Sequence, residues 1–368
     1  MNNTKPKEKK RQMNKSFFSG TRKFVFTLAS VAFIVLLLSS CGNNGQDSQN
    51  ASKGKDKKEA VDKKTKVERL NEKIKSNPEN ASLYHKRAQH YLESGNINKA
   101  LSDINNAISL GKSNKEDYMI TLSDIYFAMG QPQKTKQTLE SILIDNPNHL
   151  EALLKMANLH FYRESYDQAF GFLNKARETA PNDQRIYFIS GMINKEKEEY
   201  SKAKRDFHRA TEINQDFFDA WIQLGLLAAR EGKSTAVDYY QNALDARPGS
   251  EEALYNLGMY YQEKGQIEKA INTYNQLLDN NAESEKGYYN LGYIYLTQTG
   301  DYQKAEQNFR QVLDINPSNI DAVYNLGSAL EQQGKYEEAR KQFKKTLDIQ
   351  ENYQLGIKGL NRLDQKTK

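Results

Sequence analysis

One cysteine and five histidines in 368 residues leave few groups for chemistry, and each shortage excludes something. A lone Cys41 can make no intrachain disulfide and no thiolate zinc site. The histidines (85, 90, 149, 160 and 208) form no H-E-x-x-H and no i, i+4 pair, and His85 and His90, five apart, point to different faces of a helix. No G-x-x-x-x-G-K-[ST] phosphate loop occurs. Ser201 to Lys204 fits S-x-x-K, but its partner motifs are missing, and Ser201 reads as a helix N-cap. Catalysis, metals and cofactors therefore find no support, and the chain is expected not to be an enzyme.

A long spanning segment is lacking too. Phe24 to Leu38 is an apolar run of 15, short for a bilayer, preceded by a basic stretch that includes Lys9, Lys10, Arg11, Arg22 and Lys23. That layout is a secretory signal over residues 1–40. It ends in Leu38-Ser39-Ser40-Cys41-Gly42, which resembles the bacterial lipobox. The resemblance implies cleavage before Cys41 and its modification with acyl chains such as palmitate. Residues 1–40 carry eight basic side chains and one acid, so residues 41–368 carry −1 rather than the +6 of the whole chain. Residues 53–75 hold +5 and the repeats downstream about −5, so the basic excess supplies no nucleic-acid footprint. Residues 41–58 are polar and without apolar periodicity, a tether with a span of roughly 20–25 Å. A bacterial cell membrane, lipid-anchored, is the expected location. Gly42 in place of aspartate favours the outer one where there are two.

What the chain does have is a period. Tyr255-Asn256-Leu257-Gly258, Tyr289-Asn290-Leu291-Gly292 and Tyr324-Asn325-Leu326-Gly327 begin 34 and 35 residues apart. Each glycine is followed by a small residue with an aromatic four further on: Ala270 and Tyr274, Ala305 and Phe309, Ala339 and Phe343. Within one unit, Leu254, Leu257, Gly258 and Tyr261 form a helical stripe, Gly265 breaks it, and Ala270, Tyr274 and Leu277 begin another. Helix, turn, helix is the unit, and small residues let its two helices approach closely. A period of this size marks a stacked solenoid.

The pattern resembles the tetratricopeptide repeat. That resemblance implies an all-α solenoid, a right-handed superhelix of about eight helix-turn-helix repeats with terminal capping helices. Walking it along the chain gives repeats at 81–114, 116–149, 150–183, 184–217, 218–250, 251–284, 285–319 and 320–353. Residues 59–80 are expected to cap the first repeat and residues 354–368 the last. Repeat 5 is one residue short and repeat 7 one residue long, differences assigned to the turns at 232–236 and 297–301. Repeat 4 fits worst, with Ser190 and Asn194 on the packing face and Glu198 for a turn glycine. It is expected to be the least stable unit.

The resemblance also implies a concave groove lined by the first helices. Its expected partner-binding residues are Phe161, Phe188, Met192, Leu226, Tyr255, Met259, Tyr289, Tyr293 and Tyr324, since tyrosine and methionine suit adaptable protein surfaces. Asn256, Asn290 and Asn325 share one position, and a row of carboxamides can bond an extended peptide backbone. The row is similar to the asparagine ladder of the O-linked GlcNAc transferase repeats, though Lys86, Thr121, Lys155, Ile189 and Gln223 replace it elsewhere. The expected role is a membrane-anchored scaffold or adaptor for protein partners in the cell envelope. The alternative is a receptor for extended peptides or glycans.

Overall fold

The computed structural model describes residues 65–111 and 113–366. The signal, the lipidation of Cys41 and the tether lie outside the described residues. Among those described, all regular structure is helical, with eighteen α-helices, one π turn and no strand. The chain divides after Arg163 into two compact units.

In the first unit α1 (Lys66–Ser76) precedes three first helices, α2 (Ala81–Glu93), α4 (Lys115–Ala128) and α6 (Leu150–Tyr162), separated by α3 (Ile97–Leu110) and α5 (Pro132–Asp145). Thr65 and Glu68 form a reciprocal capping box that starts α1, and Leu70 and Ile74 are its buried face. Pro132 opens α5, where its missing N–H costs nothing.

The second unit starts with α7 (Tyr166–Thr179). Its first helices are α8 (Gln184–Glu196), α10 (Phe218–Arg230), α12 (Glu251–Glu263), α14 (Glu285–Ile294) and α16 (Ile320–Gln332). Their partners are α9 (Tyr200–Ile213), α11 (Thr235–Ala246), α13 (Ile267–Asn280), α15 (Tyr302–Ile315) and α17 (Tyr336–Ile349), and α18 (Gln354–Lys366) closes the unit. In each unit helices pack mainly on their sequence neighbours, and α2 also meets α4 as α10 meets α12. That is the nearest-neighbour contact pattern of a repeat array.

A rule of complementary volume holds each hairpin together. In repeats 4 to 8 the first helix carries Gly191, Gly225, Gly258, Gly292 or Gly327, and the ring of Phe207, Tyr240, Tyr274, Phe309 or Phe343 lies against it. A Cβ there would stand 2.4–2.7 Å from the ring at four of the five, too close for any real contact, and a tight 3.0 Å at Gly292. In repeats 1 and 2 the same first-helix position is Ala88 or Ser123, and the facing residue shrinks to Ile104 or Leu139. These side chains are all buried, so ring plus hydrogen has been exchanged for branched aliphatic plus Cβ at similar volume.

The turns between the two helices need one left-handed residue each. Glycine supplies it at Gly95, Gly130, Gly232, Gly265, Gly300 and Gly334, with φ from 67° to 76°. Glu164 and Glu198 take the same conformation at φ 57° and 60°, where a side chain is strained.

Three expectations change. Ser190 and Asn194 are not packing defects: Ser190 Oγ and Asn194 Nδ2 both donate to Asp206 Oδ2, at 2.6 and 2.8 Å. Repeat 1 has Arg87 at the Ser190 position and Asp103 at the Asp206 position, joined at 2.6 and 2.7 Å. Where the usual leucine is polar, the facing helix supplies an aspartate, and Glu198 alone remains of the case for a weak repeat 4. The extra residue of repeat 7 is taken up before the turn, as a π-helical turn over Tyr295–Thr299 that continues α14. Ser201 is not an N-cap, because α9 begins at Tyr200 with Glu199 as its cap.

Candidate binding groove

The residues expected in the groove sort by depth. Phe161 lies half-buried near the end of α6 in the first unit, and the others lie in the second. Phe188 is core: it is 7% exposed, with ring centroids 5.6 Å from Phe207 and 5.1 Å from Phe217. An aromatic stripe at helical spacing looks the same in sequence whether it faces a neighbouring helix or solvent.

Tyr289 and Tyr324 are half-buried and structural. Tyr289 meets Phe309 edge-on at 5.8 Å, and Tyr324 lies 5.7 Å from Phe343 and 6.2 Å from Tyr353. Burial pushes the Tyr289 phenol up to about 12, with the bond from Asn325 pulling the other way. Tyr255 is half-buried beneath the Lys286 ammonium, 5.3 Å from its ring centroid, and burial raises its phenol as well.

The three asparagines share a position but not a state. Asn325 is 8% exposed and its Nδ2 donates to the Tyr289 hydroxyl at 3.1 Å. Asn290 Nδ2 donates to the Lys286 carbonyl at 2.8 Å in its own helix, leaving Oδ1 uncommitted. Asn256 is half-buried and makes no side-chain hydrogen bond among the described residues. A uniform ladder of three is thus reduced to Asn256 and half of Asn290.

A strip of apolar side chains at the ninth position of successive first helices keeps accessible surface. Met192, Met259 and Tyr293 are half-buried and Leu226 is 39% exposed. Gln223, Asn256 and Asn290 stand at the sixth position of the next helix along, so apolar and carboxamide groups alternate. Lys195 joins the strip unannounced. Its Nζ donates to Gln223 Oε1 at 2.8 Å, and burial makes the ammonium easier to deprotonate than usual. It stands eleven residues after its repeat start, a groove position by register, but a search for apolar side chains passes over it.

The first unit presents different chemistry from its first helices. His85 Nε2 and Thr121 Oγ1 are 2.7 Å apart, and Lys155 Nζ donates to Asp124 Oδ1 at 2.7 Å with Glu151 Oε1 at 3.5 Å. Burial lowers the His85 imidazole, against the pull of Asp117. These polar groups are spent on one another. Among the described residues no cluster of three or more His, Cys, Asp or Glu could hold a metal ion, and no helix is long and apolar enough to cross a membrane.

Family models give the architecture its relatives. Models described as tetratricopeptide repeat match residues 184–217, 255–320 and 296–355, and a model of the tetratricopeptide repeat protein 21 ARM repeat matches 35–172. The chain belongs to the tetratricopeptide repeat family. The match at 184–217 coincides with repeat 4, the unit whose sequence looked least regular. The crystal structure of the C-terminal part of a TPR repeat-containing protein from Cytophaga hutchinsonii superposes with a TM-score of 0.56 at 16% identity, over 66% of this chain and 99% of that one. It shares the TPR fold.

Among curated relatives, photosystem I assembly protein Ycf3 of Acaryochloris marina is 34% identical over 28% of this chain and 69% of its own length. Anaphase-promoting complex subunit 3 of Schizosaccharomyces pombe is 27% identical over 37% of this chain and 20% of its own. Human protein O-mannosyl-transferase TMTC1 is 26% identical over 45% and 19%. The chain thus spans about a fifth of the length of the first relatives it matches.

Proposed function

We propose that this TPR chain is a non-catalytic, membrane-anchored lipoprotein that holds protein partners in the bacterial envelope. The anchor reading rests on Leu38-Ser39-Ser40-Cys41 after a basic and apolar leader. The binding reading rests on one observation: Met192, Leu226, Met259 and Tyr293 stand at one position of four successive first helices and all keep accessible surface. Two of the relatives are a complex subunit and an assembly protein by name, which agrees with a scaffold. The transferase relative is matched over 19% of its length, so its activity is not carried to this chain.

Charge placed in the strip tests the binding reading. Leu226→Asp with Met259→Asp should abolish co-purification of the envelope partner from crosslinked membranes, while Lys344→Asp on exposed α17 surface should not. Equal recovery from both variants would remove the groove. The mass of the N-terminal peptide tests the anchor: an acylated Cys41 is expected, and an unmodified cysteine behind an intact leader would contradict it. A receptor for extended peptides is the second reading, favoured by the uncommitted carboxamide of Asn256. It predicts retention of free oligopeptides by the purified chain.

A further inference from the structure

Most half-buried cations in this protein are paired with carboxylates. Arg87 has Asp103 at 2.6 Å, Lys155 has Asp124 at 2.7 Å, and Lys204 has Glu231 at 2.7 Å. Glu331, with a side chain 2% exposed, takes Arg362 and Lys366 from α18 at 2.7 and 2.9 Å. Lys195, like Arg177 and Lys345, has no such partner. Its ammonium is half-buried beside the apolar strip, no carboxylate lies within 4.0 Å among the described residues, and its bonding partner is the neutral carboxamide of Gln223. Burial without a counter-ion weakens its hold on the proton, and only Glu196, next along the helix, pulls the other way.

The geometry around it is that of a two-donor site. An ammonium has three N–H groups and Gln223 takes one. The bond from Lys195 fixes Gln223 Oε1 toward the ammonium, which leaves its NH2 to donate. Met192 lies three residues before Lys195 on α8, and Leu226 three residues after Gln223 on α10, so an apolar side chain stands one helical turn to either side of the polar pair. We propose that Lys195 and Gln223 receive the side-chain carboxylate of an Asp or Glu in an extended partner segment, with apolar residues two positions to either side of it seated on Met192 and on Leu226. One ammonium matches one negative charge, and a spacing of two residues, about 7 Å in an extended chain, carries the same-side neighbours of the acidic residue toward Met192 and Leu226. This rests on the groove reading above and names the chemistry of what the groove takes.

Selection of random twelve-residue peptides displayed on phage against the full chain tests it. Peptides carrying Asp or Glu two positions from Leu, Met or Phe are expected to enrich. Re-synthesised, they should bind Lys195→Met roughly ten- to hundredfold more weakly, the range for a hydrogen bond to a charged group. Lys195→Glu should turn the selection toward Lys and Arg at the same position. Lys195→Met loses no ion pair, so unchanged helicity and thermal midpoint separate lost binding from lost fold. Peptides that bind both proteins equally, or that enrich without an acidic residue, would overturn the Lys195 site and leave the groove standing. Failure to enrich any peptide would overturn both.

Discussion

At Gly258 the whole hairpin depends on a missing methyl group. The Tyr274 ring lies where a Cβ would stand 2.6 Å from it, so Gly258→Ala should destabilise by about 1–3 kcal/mol through overpacking. Adding Tyr274→Ile should recover much of that loss, because Ala88 with Ile104 is the same arrangement already present in repeat 1. Thermal or urea unfolding of the single and double variants checks the coupling. The opposite sign is expected at Glu198, where glycine would relieve a left-handed residue. Glu198→Gly should stabilise by roughly 1 kcal/mol, measured the same way. Both small residues and aromatics were legible as periodic positions, but their exchange of volume became visible only once the two were seen in contact. Phe188 and Asn325 failed as site residues for a related reason. Register says which way a side chain leaves its helix, and a residue from the next repeat decides whether anything reaches it.

Between elements, the ends of the helices carry the specific bonds. Glu251 accepts from Asn281 and Ser284 at 3.0 and 2.8 Å, and Glu285 accepts from Asn316 and Asn319 at 3.2 and 2.6 Å, so each brace ties one first helix to the next turn. On the other side of the second unit, Glu306 of α15 is partly desolvated, which alone would raise its carboxyl. Lys335, Arg310 and Gln333 outweigh that and hold it down at about 2. A depressed carboxylate contributes stability above its unfolded pKa of about 4.5, lost as pH falls toward 2. Glu306→Gln should therefore lower stability at pH 7 by roughly 1–3 kcal/mol, with the difference from the parent fading between pH 4.5 and 2 in acid-titrated urea melts. The length of repeat 7 was legible as an anomaly, but its place was not. A loop was the cheaper guess, and the packing of Tyr295 and Leu296 against the Phe309 and Phe343 core is consistent with the extra residue staying in the helix as a π turn. Deleting exposed Gln298 should convert that turn to regular α-helix with little change in thermal midpoint.

For the molecule as a whole, the repeat was readable because every unit solves one packing problem with the same few positions. Function was readable only in outline, because a groove is defined by what the packing leaves uncovered. The strip from Met192 to Tyr293 and the unpaired Lys195 are such remainders in the second unit, whereas the first unit spends its polar groups on internal pairs such as His85 with Thr121. Replacing Tyr289 is accordingly a poor probe of binding, since its ring and hydroxyl belong to the core, and Met259 is the better one. A photo-crosslinking amino acid placed at Met259, and in a second preparation at Lys344, tests the central claim in the protein's own cells. Binding through the groove predicts a discrete protein adduct from position 259 that is absent from position 344. The same adducts from both positions, or an adduct from position 344 alone, would contradict it.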